Sequence, residues 1–411
     1  MKAAILAAGE GTRMRPLTVT RPKVMLPVAN RPMLEQIIIS ARDAGITEFV
    51  CVVGYMGDLV RAYFGDGERM GVQIDYVEQK EQLGTAHAIG TVRELVGDRF
   101  LLLNGDAIVG SSDLRSIVSR GGDVIMAVKE VDSIEGYGVV ATAGDRVVEI
   151  IEKPEQTEKT GQAGQTGRAA SNLVNAGIYL FSDAIFDAID ETKKSIRGEY
   201  EITDSIQSLI DDTGAGVDVG YLTLDTWIDI GRPWNLLDAN EYLLSGMGTE
   251  IAGEIEPYAT LKGNVVVGAG TIIRNGSYIT GPVMIGENCD IGPNCFVRPG
   301  TSLGNNVRIG NAVEIKNSIV MDKTNIGHLS YVGDSVIGSG CNFGAGTKIA
   351  NLRHDGRNVR SVVKDVPVDT GRRKLGVIMG DNVHTGINTC INVGVMLDPG
   401  TGTHPGEVVM G

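Results

Sequence analysis

Between Ile255 and Met321 an apolar residue recurs every six positions, twelve times without a miss: Ile255, Leu261, Val267, Ile273, Ile279, Ile285, Ile291, Val297, Leu303, Ile309, Ile315 and Met321. A period of six matches neither an α-helix, near 3.6, nor an alternating strand, at 2. It is the signature of a parallel β-helix, in which three short strands make one coil. Glycine often follows the apolar residue, as at Gly268, Gly286, Gly292, Gly304 and Gly310. Those positions read as corners that need a permissive backbone. The fourth residue after each apolar one is small or β-branched, so Cys289 and Cys295 read as core fillers rather than ligands. The repeat slips by one residue at Ile326 and again at Ile337, and His328 follows the first slip. A polar insertion runs from Asn351 to about Lys374 with seven basic residues, after which the repeat resumes at Met379, Thr385, Ile391 and Leu397.

This pattern occupies only the second part of the 411-residue chain. Residues 1–250 hold 23 basic and 38 acidic side chains, whereas residues 251–411 hold 14 and 13. The expected division is therefore 1–245 and 246–411. The net charge of −14 argues against a general nucleic-acid binder, although a basic site can exist inside an acidic protein. No apolar run reaches the ~18 residues of a membrane span. Five cysteines without a C-x-x-C pair fit a reducing compartment, and the short apolar N-terminus lacks the features of a signal peptide. A cytoplasmic protein is expected.

In the first part, apolar runs at 2–8, 49–54, 72–79 and 99–106 alternate with helical patterns at 32–44 and 58–65. That alternation predicts an α/β domain with a mainly parallel sheet covered on both faces. Ligands of such sheets sit beyond the carboxyl ends of the strands, where Gly9, Gln79 and Asp106 fall. The loop from Leu6 to Thr18, LAAGEGTRMRPLT, has Met14 where a dinucleotide fingerprint needs its third glycine, and no Walker-type P-loop exists. What remains is glycines that admit backbone amides to phosphates, with Arg13, Arg15, Arg21 and Lys23 close by. Read locally, a tight turn with solvated arginines is the alternative.

The stretch Leu6–Lys23 resembles the signature of sugar-1-phosphate nucleotidylyltransferases. Six further matches follow in that family's order: QKEQLGTAH from Gln79, Asn104-Gly105-Asp106, Gly136-Tyr137-Gly138, Glu152-Lys153-Pro154, Asn175-Ala176-Gly177 and WIDIGRPW from Trp227. The QLGTAH form is most similar to uridylyltransferases of N-acetylglucosamine-1-phosphate. The resemblance implies a Rossmann-like fold with a mixed, mainly parallel sheet. It implies that Asp106 and Asp229 hold Mg²⁺, and that Gly9, Gly11, Arg13 and Lys23 meet the triphosphate. It implies that Gln79, Gly84 and Thr85 read the uracil, and that Gly138, Glu152 and Asn175 hold the sugar. Between two of the sugar motifs, the Gly-, Gln- and Thr-rich segment 155–171 reads as a surface loop.

Three stretches in the second part, VEIK from Val313, GHLSYVGD from Gly327 and NFGAGT from Asn342, with Asn351 beyond, carry a second resemblance. They are similar to the acetyltransferase half of bifunctional N-acetylglucosamine-1-phosphate uridylyltransferases, most of all the archaeal form. This implies a left-handed parallel β-helix of hexapeptide repeats that moves acetyl from acetyl-CoA to glucosamine-1-phosphate. The resemblance makes His328 the base, with Glu314 orienting it. Arg298 and Lys316 would hold the phosphate, Tyr331, Asn342 and Asn351 the sugar, and the backbone near Ala345 the thioester. It also implies a homotrimer. The ligands expected are UTP, sugar-1-phosphates and acetyl-CoA, with no nucleic acid and no membrane as partner. The alternatives are a single-function nucleotidylyltransferase (UTP or dTTP) whose β-helix only assembles subunits, and a sugar-nucleotide sensor. The five histidines form no short ligand pair, which disfavours a zinc enzyme on the same helix.

Overall fold

The strand Lys2–Ala7 lies inside a nine-stranded sheet, third from one edge, because residues 3–7 are apolar on both faces. The computed structural model describes residues 1–151, 171–212, 214 and 216–410. Strands Gln73–Glu78, Glu48–Val53, Lys2–Ala7 and Arg99–Asn104 run parallel in that spatial order. Leu173–Ser182 then enters antiparallel between Arg99–Asn104 and Val124–Glu130, so the sheet is mixed. Val219–Thr223, Arg146–Ile151 and Val139–Ala143 complete it. The expected helices form at Met33–Asp43 and Gly57–Phe64. Glu152 and all but the last residue of the 155–171 segment lie outside the described residues.

By internal contacts the chain forms two units, one of residues 1–9 and 34–229, the other of residues 10–33 and 230–411. The basic loop and Lys23 thus belong to the same unit as the repeats. Among the described residues, no helix is long and apolar enough to cross a membrane.

The repeats fold as a parallel β-helix. Strands of two to four residues stack into three parallel sheets of eight, seven and eight strands. Each sheet takes every third strand, so Ile273 sits above Ile291 and Ile291 above Ile309, eighteen residues apart. The inward residues form one cluster with Cys289, Cys295 and Cys341 inside it. Burial pushes these thiols up, Cys341 to about 11, so they remain neutral apolar fillers.

Two details differ from the expected pattern. Met321 is not the inward residue of its coil. Leu303 pairs with Val320, which lies in the core, so the first slip falls between Ile315 and Val320. The second falls between Val332 and Ile337, and the coils there need only seventeen residues. Both shortened corners bend at a residue with positive φ, Asn317 and then Asp334. The corner glycines also differ in cause. Gly268, Gly286, Gly304 and Gly310 do not need positive φ. A methyl built on Gly310 would overlap the carbonyl oxygen of Gly327 in the next coil. Coil spacing, not backbone freedom, selects glycine there.

The insertion after Asn351 is not merely extended. Arg360–Val363 and Val366–Asp369 pair as a hairpin, turning at Lys364 and Asp365, both with positive φ. Gly310→Ala should destabilise the protein by about 3 kcal/mol, the upper range for overpacking, because a neighbouring backbone rather than a side chain must move. Denaturant unfolding of the variant beside the wild type would measure this.

Candidate active sites

In the first unit the site residues collect at strand ends. Strand Lys2–Ala7 runs out towards Gly9, whose missing side chain leaves open space. Leu6 accepts from Gly105 N at 3.0 Å, which fixes the turn before Asp106. Strand Trp227–Asp229 pairs antiparallel with Ala107–Val109, and Asp229 lies opposite Ala107, next to Asp106. The buried Asp113 carboxylate holds this arrangement by accepting from Asp225 N at 3.0 Å and Thr226 N at 2.9 Å. Two carboxylates from adjacent strands suit Mg²⁺, which takes few protein oxygens and keeps water and phosphate oxygens.

The QLGTAH turn is built on backbone contacts. Tyr200 N donates to Leu83 O at 2.7 Å, and Ala86 N to Tyr200 O at 2.9 Å. Gly84, at φ +115°, must be glycine because a side chain there would run into the Tyr200 backbone. Thr85 Oγ1 accepts from Ile202 N at 2.9 Å, so this hydroxyl pins a neighbouring helix. Gln79 donates to Gly84 O at 3.2 Å and lies 3.1 Å from His87 Nδ1. Gly138 and Asn175 are joined directly, with Asn175 N donating to Gly138 O at 2.9 Å. Asn175 Oδ1 accepts from Gly177 N and from the Tyr179 hydroxyl, both at 2.9 Å. Trp227 donates to Ala176 O at 3.1 Å and stacks edge-on with Tyr137, 5.6 Å between centroids. The sequence reading did not single out that aromatic pair, although both residues stand inside quoted motifs.

In the second unit, Gly11 at φ +68° lies against Lys23, and a side chain at 11 would meet the Lys23 Cβ. Lys23 is buried in the turn Lys23–Met25, while Arg13 is exposed. Two of the loop cations sit in ion pairs. Arg15 pairs with Glu10 at 2.5 Å, and Arg21 with Asp381 at 2.5 Å.

The remaining residues lie on the β-helix, His328 and Asn342 on one sheet and Glu314, Lys316 and Tyr331 on another. Stacking places Arg298 N on Ile315 O, Glu314 beside Tyr331, Lys316 beside Gly333, and Tyr331 beside Lys348. The organising group is Asp334, 2 % exposed, which the sequence reading passed over. Its carboxylate accepts from Asn317 Nδ2 at 2.9 Å and Asn351 Nδ2 at 2.5 Å, and it pairs with Lys316 Nζ at 3.4 Å. Asn351 also donates to the Tyr331 hydroxyl at 3.2 Å. The corner where the coil is one residue short therefore carries Lys316, then Asp334, with Asn351 where the next coil loops out.

A cavity of about 550 Å³ opens beside it, lined by Asp334, Leu352, Arg372, Arg373 and Lys374. Part of the insertion's charge is already used, since Arg353 pairs with Asp355 and Arg372 with Asp238. Glu314 does not orient His328 here. It accepts from Arg298 at 2.8 Å, because Arg298 directly follows the strand Phe296–Val297 that pairs with Glu314–Lys316, while His328 stands on another sheet. The His328 imidazole is exposed, and its carbonyl is held by Gly346 N at 3.1 Å and Ser330 Oγ at 2.8 Å. Asn342 is exposed and accepts from Asn325 at 2.8 Å, and Ala345 O takes Asn388 N at 2.8 Å.

The Nucleotidyl transferase family model matches residues 2–246, and the GMPPB C-terminal domain model matches residues 279–400. The chain is 42% identical over 398 residues to the "Bifunctional protein GlmU" of Methanocaldococcus jannaschii, covering 96% of this chain and 91% of that one. The chain belongs to the nucleotidyl transferase family, in its bifunctional GlmU group. It is also 39% identical to the "Bifunctional sugar-1-phosphate nucleotidylyltransferase/acetyltransferase" of Sulfurisphaera tokodaii, over 100% of this chain and 97% of that one. Among solved structures, UDP-glucose pyrophosphorylase complexed with UDP-glucose superposes with a TM-score of 0.51 at 25% identity, covering 60% of this chain and 99% of that one.

Asp334→Ala should cost about 3–5 kcal/mol, the range for breaking a buried ion pair, because the Lys316 ammonium loses its anion. Urea unfolding would read this, and a loss below about 1 kcal/mol would contradict the organising role.

Proposed function

We propose that this enzyme makes UDP-N-acetylglucosamine in two steps, acetyl transfer to glucosamine-1-phosphate followed by uridylyl transfer from UTP. The observation that carries the acetyl step is the Lys316–Asp334–Asn351–Tyr331 network, which a β-helix used only for assembly does not need. We assign acetyl transfer to residues 246–411 and nucleotidylyl transfer to residues 1–245.

In the first step the exposed His328 takes a proton from the sugar ammonium. The freed amine attacks the thioester carbonyl of acetyl-CoA and forms the C–N bond, the nitrogen loses its extra proton to solvent, the C–S bond breaks, and the leaving thiolate takes the proton held by the His328 imidazolium. Arg298 and Lys316 bind the sugar phosphate. Tyr331, Asn342 and Asn351 hold the sugar, and the backbone near Ala345 holds the thioester. Arg373 and Lys374, on the cavity beside this network, suit the phosphates of CoA.

In the second step an oxygen of N-acetylglucosamine-1-phosphate attacks the α-phosphorus of UTP in line, and pyrophosphate leaves. Such chemistry depends on positioning and charge neutralisation. Mg²⁺, held by Asp106 and Asp229, would supply positive charge to the phosphate oxygens. Arg13 and Lys23 neutralise the triphosphate, with Gly9 and Gly11 admitting it closely. In this reading Gln79, Gly84 and Thr85 recognise the base, and Gly138, Glu152 and Asn175 hold the sugar.

The acting form is proposed to be a homotrimer. Leu329, Leu352 and Ile387 on the β-helix are apolar and 47–60% exposed, which favours burial against another copy. Light scattering at micromolar concentration should give three times the chain mass. A monomer would exclude the trimer.

The two steps should separate by mutation. His328→Ala should lower acetyl transfer by about 10²–10⁴-fold, the usual worth of a general base, and leave pyrophosphate release near normal. Lys23→Ala should lower pyrophosphate release by about 10²-fold or more and spare acetyl transfer. Coupled assays with acetyl-CoA, glucosamine-1-phosphate and UTP read both. Loss of both activities in either folded variant would overturn the two-site reading.

A further inference from the structure

Arg21 lies two residues before Lys23, in a segment that shares its unit with the β-helix. Its guanidinium does not point to solvent. It donates to Asp381 Oδ2 at 2.5 Å and to Ser339 Oγ at 3.1 Å, and it lies 3.6 Å from Met321 Sδ. Thr20 donates to the same Oδ2 at 2.6 Å. The Asp381 side chain is 12% exposed and that of Arg21 21%. Met321, left out of the β-helix's inward cluster by the coil slip but still buried, lies against this contact.

Asp381 has a second engagement. Its Oδ1 accepts from Ser339 N at 2.8 Å. The same corner bond recurs down the helix, from Glu287 N to Asn305 Oδ1 and from Asn305 N to Asp322 Oδ1, each at 2.8 Å. An amide serves at Asn305, so the corner itself requires only an acceptor oxygen. A carboxylate at 381 adds a charged oxygen that the corner does not use, and that oxygen holds Thr20 and Arg21. A further fixing point lies where the segment ends. The fully buried Asn240 accepts from Ala29 N and donates to Gly300 O, both at 2.9 Å, and Asn30 donates to Leu303 O at 2.6 Å.

We propose that Asp381, through Arg21 and Thr20, is a positioning residue for nucleotidylyl transfer. It fixes the backbone that carries Lys23, although it belongs to the repeats assigned above to acetyl transfer. This rests on the reading of Lys23 as a phosphate-binding residue. A long, flexible lysine gains most when its backbone is held, because an ordering cost met in the free enzyme is not met again at the transition state.

The test is Asp381→Asn in the full chain. Asparagine keeps the Oδ1 acceptor for Ser339 and removes the charge that holds Arg21. Pyrophosphate release should fall about tenfold in kcat/KM, with acetyl transfer within about twofold of the wild type. Arg21→Ala should give a loss no larger than that of Asp381→Asn, and the double variant none beyond Asp381→Asn alone, since that variant already removes the Arg21 contact. Amide hydrogen exchange over residues 20–26 should speed up in each variant. Unchanged pyrophosphate release, multiplied losses in the double variant, equal loss of both activities, or unchanged exchange would each overturn the proposal. A wild type that releases no pyrophosphate would instead refute the underlying assignment of the reaction, and exchange would still decide whether Asp381 holds the segment.

Discussion

In the β-helix, every inter-strand hydrogen bond runs from one coil to the next. Side chains at equivalent positions must therefore stand in columns, and each column repeats one chemical requirement. Inward columns demand apolar residues of similar size, which accounts for Ile273, Ile291, Ile309 and Ile326 in line. Corner columns demand either glycine or a side chain whose oxygen can reach the coil below. The site residues are departures within this lattice. Lys316, Asp334 and Asn351 occupy successive levels of one corner, and their mutual hydrogen bonds come from the stacking that aligns the core. The apolar column and the polar network have the same geometric origin.

Much of this was legible in the chain. The six-residue period identified the coil, the inward residues from Ile255 to Ile315, and Cys289 and Cys295 as core fillers. The family resemblance, not composition or spacing, singled out Asp106 and Asp229, and the pairing that sets Asp229 opposite Ala107 is a feature of the fold alone. What the period could not place was the exact point of each slip. Val320 and Met321 are both apolar, so either satisfies the pattern, and only pairing with Leu303 decides between them. The error drew attention to His328, when the shortened corners are at Asn317 and Asp334. Asp334 was hidden for a related reason. A buried carboxylate is conspicuous only once its partners are known, and Lys316 and Asn351 lie a coil away in sequence.

The charged loop was misread differently. Arg13, Arg15, Arg21 and Lys23 form a single cluster in sequence, and clustering suggests one shared role. The fold divides them, with Arg15 on Glu10 and Arg21 on Asp381, more than 300 positions along the chain. No local pattern could have announced a partner at that separation.

The hairpin that leaves the helix after Asn351 has a bearing on how such a lattice tolerates change in length. Coil-to-coil pairing resumes beyond it in register, with Ile337 on Met379, Phe343 on Thr385 and Ile349 on Ile391. The added chain leaves at one corner, and the stack closes beneath it in register, with the buried Ser361 Oγ donating to Gly394 O at 2.8 Å. A one-residue deletion, by contrast, is absorbed by a tighter bend and carried into the spacing of its coil. The two responses make the corner at 351 an entry port for foreign sequence. Extra structure can be grafted at the Lys364-Asp365 tip without resetting the ladder, while the columns on either side admit no such freedom.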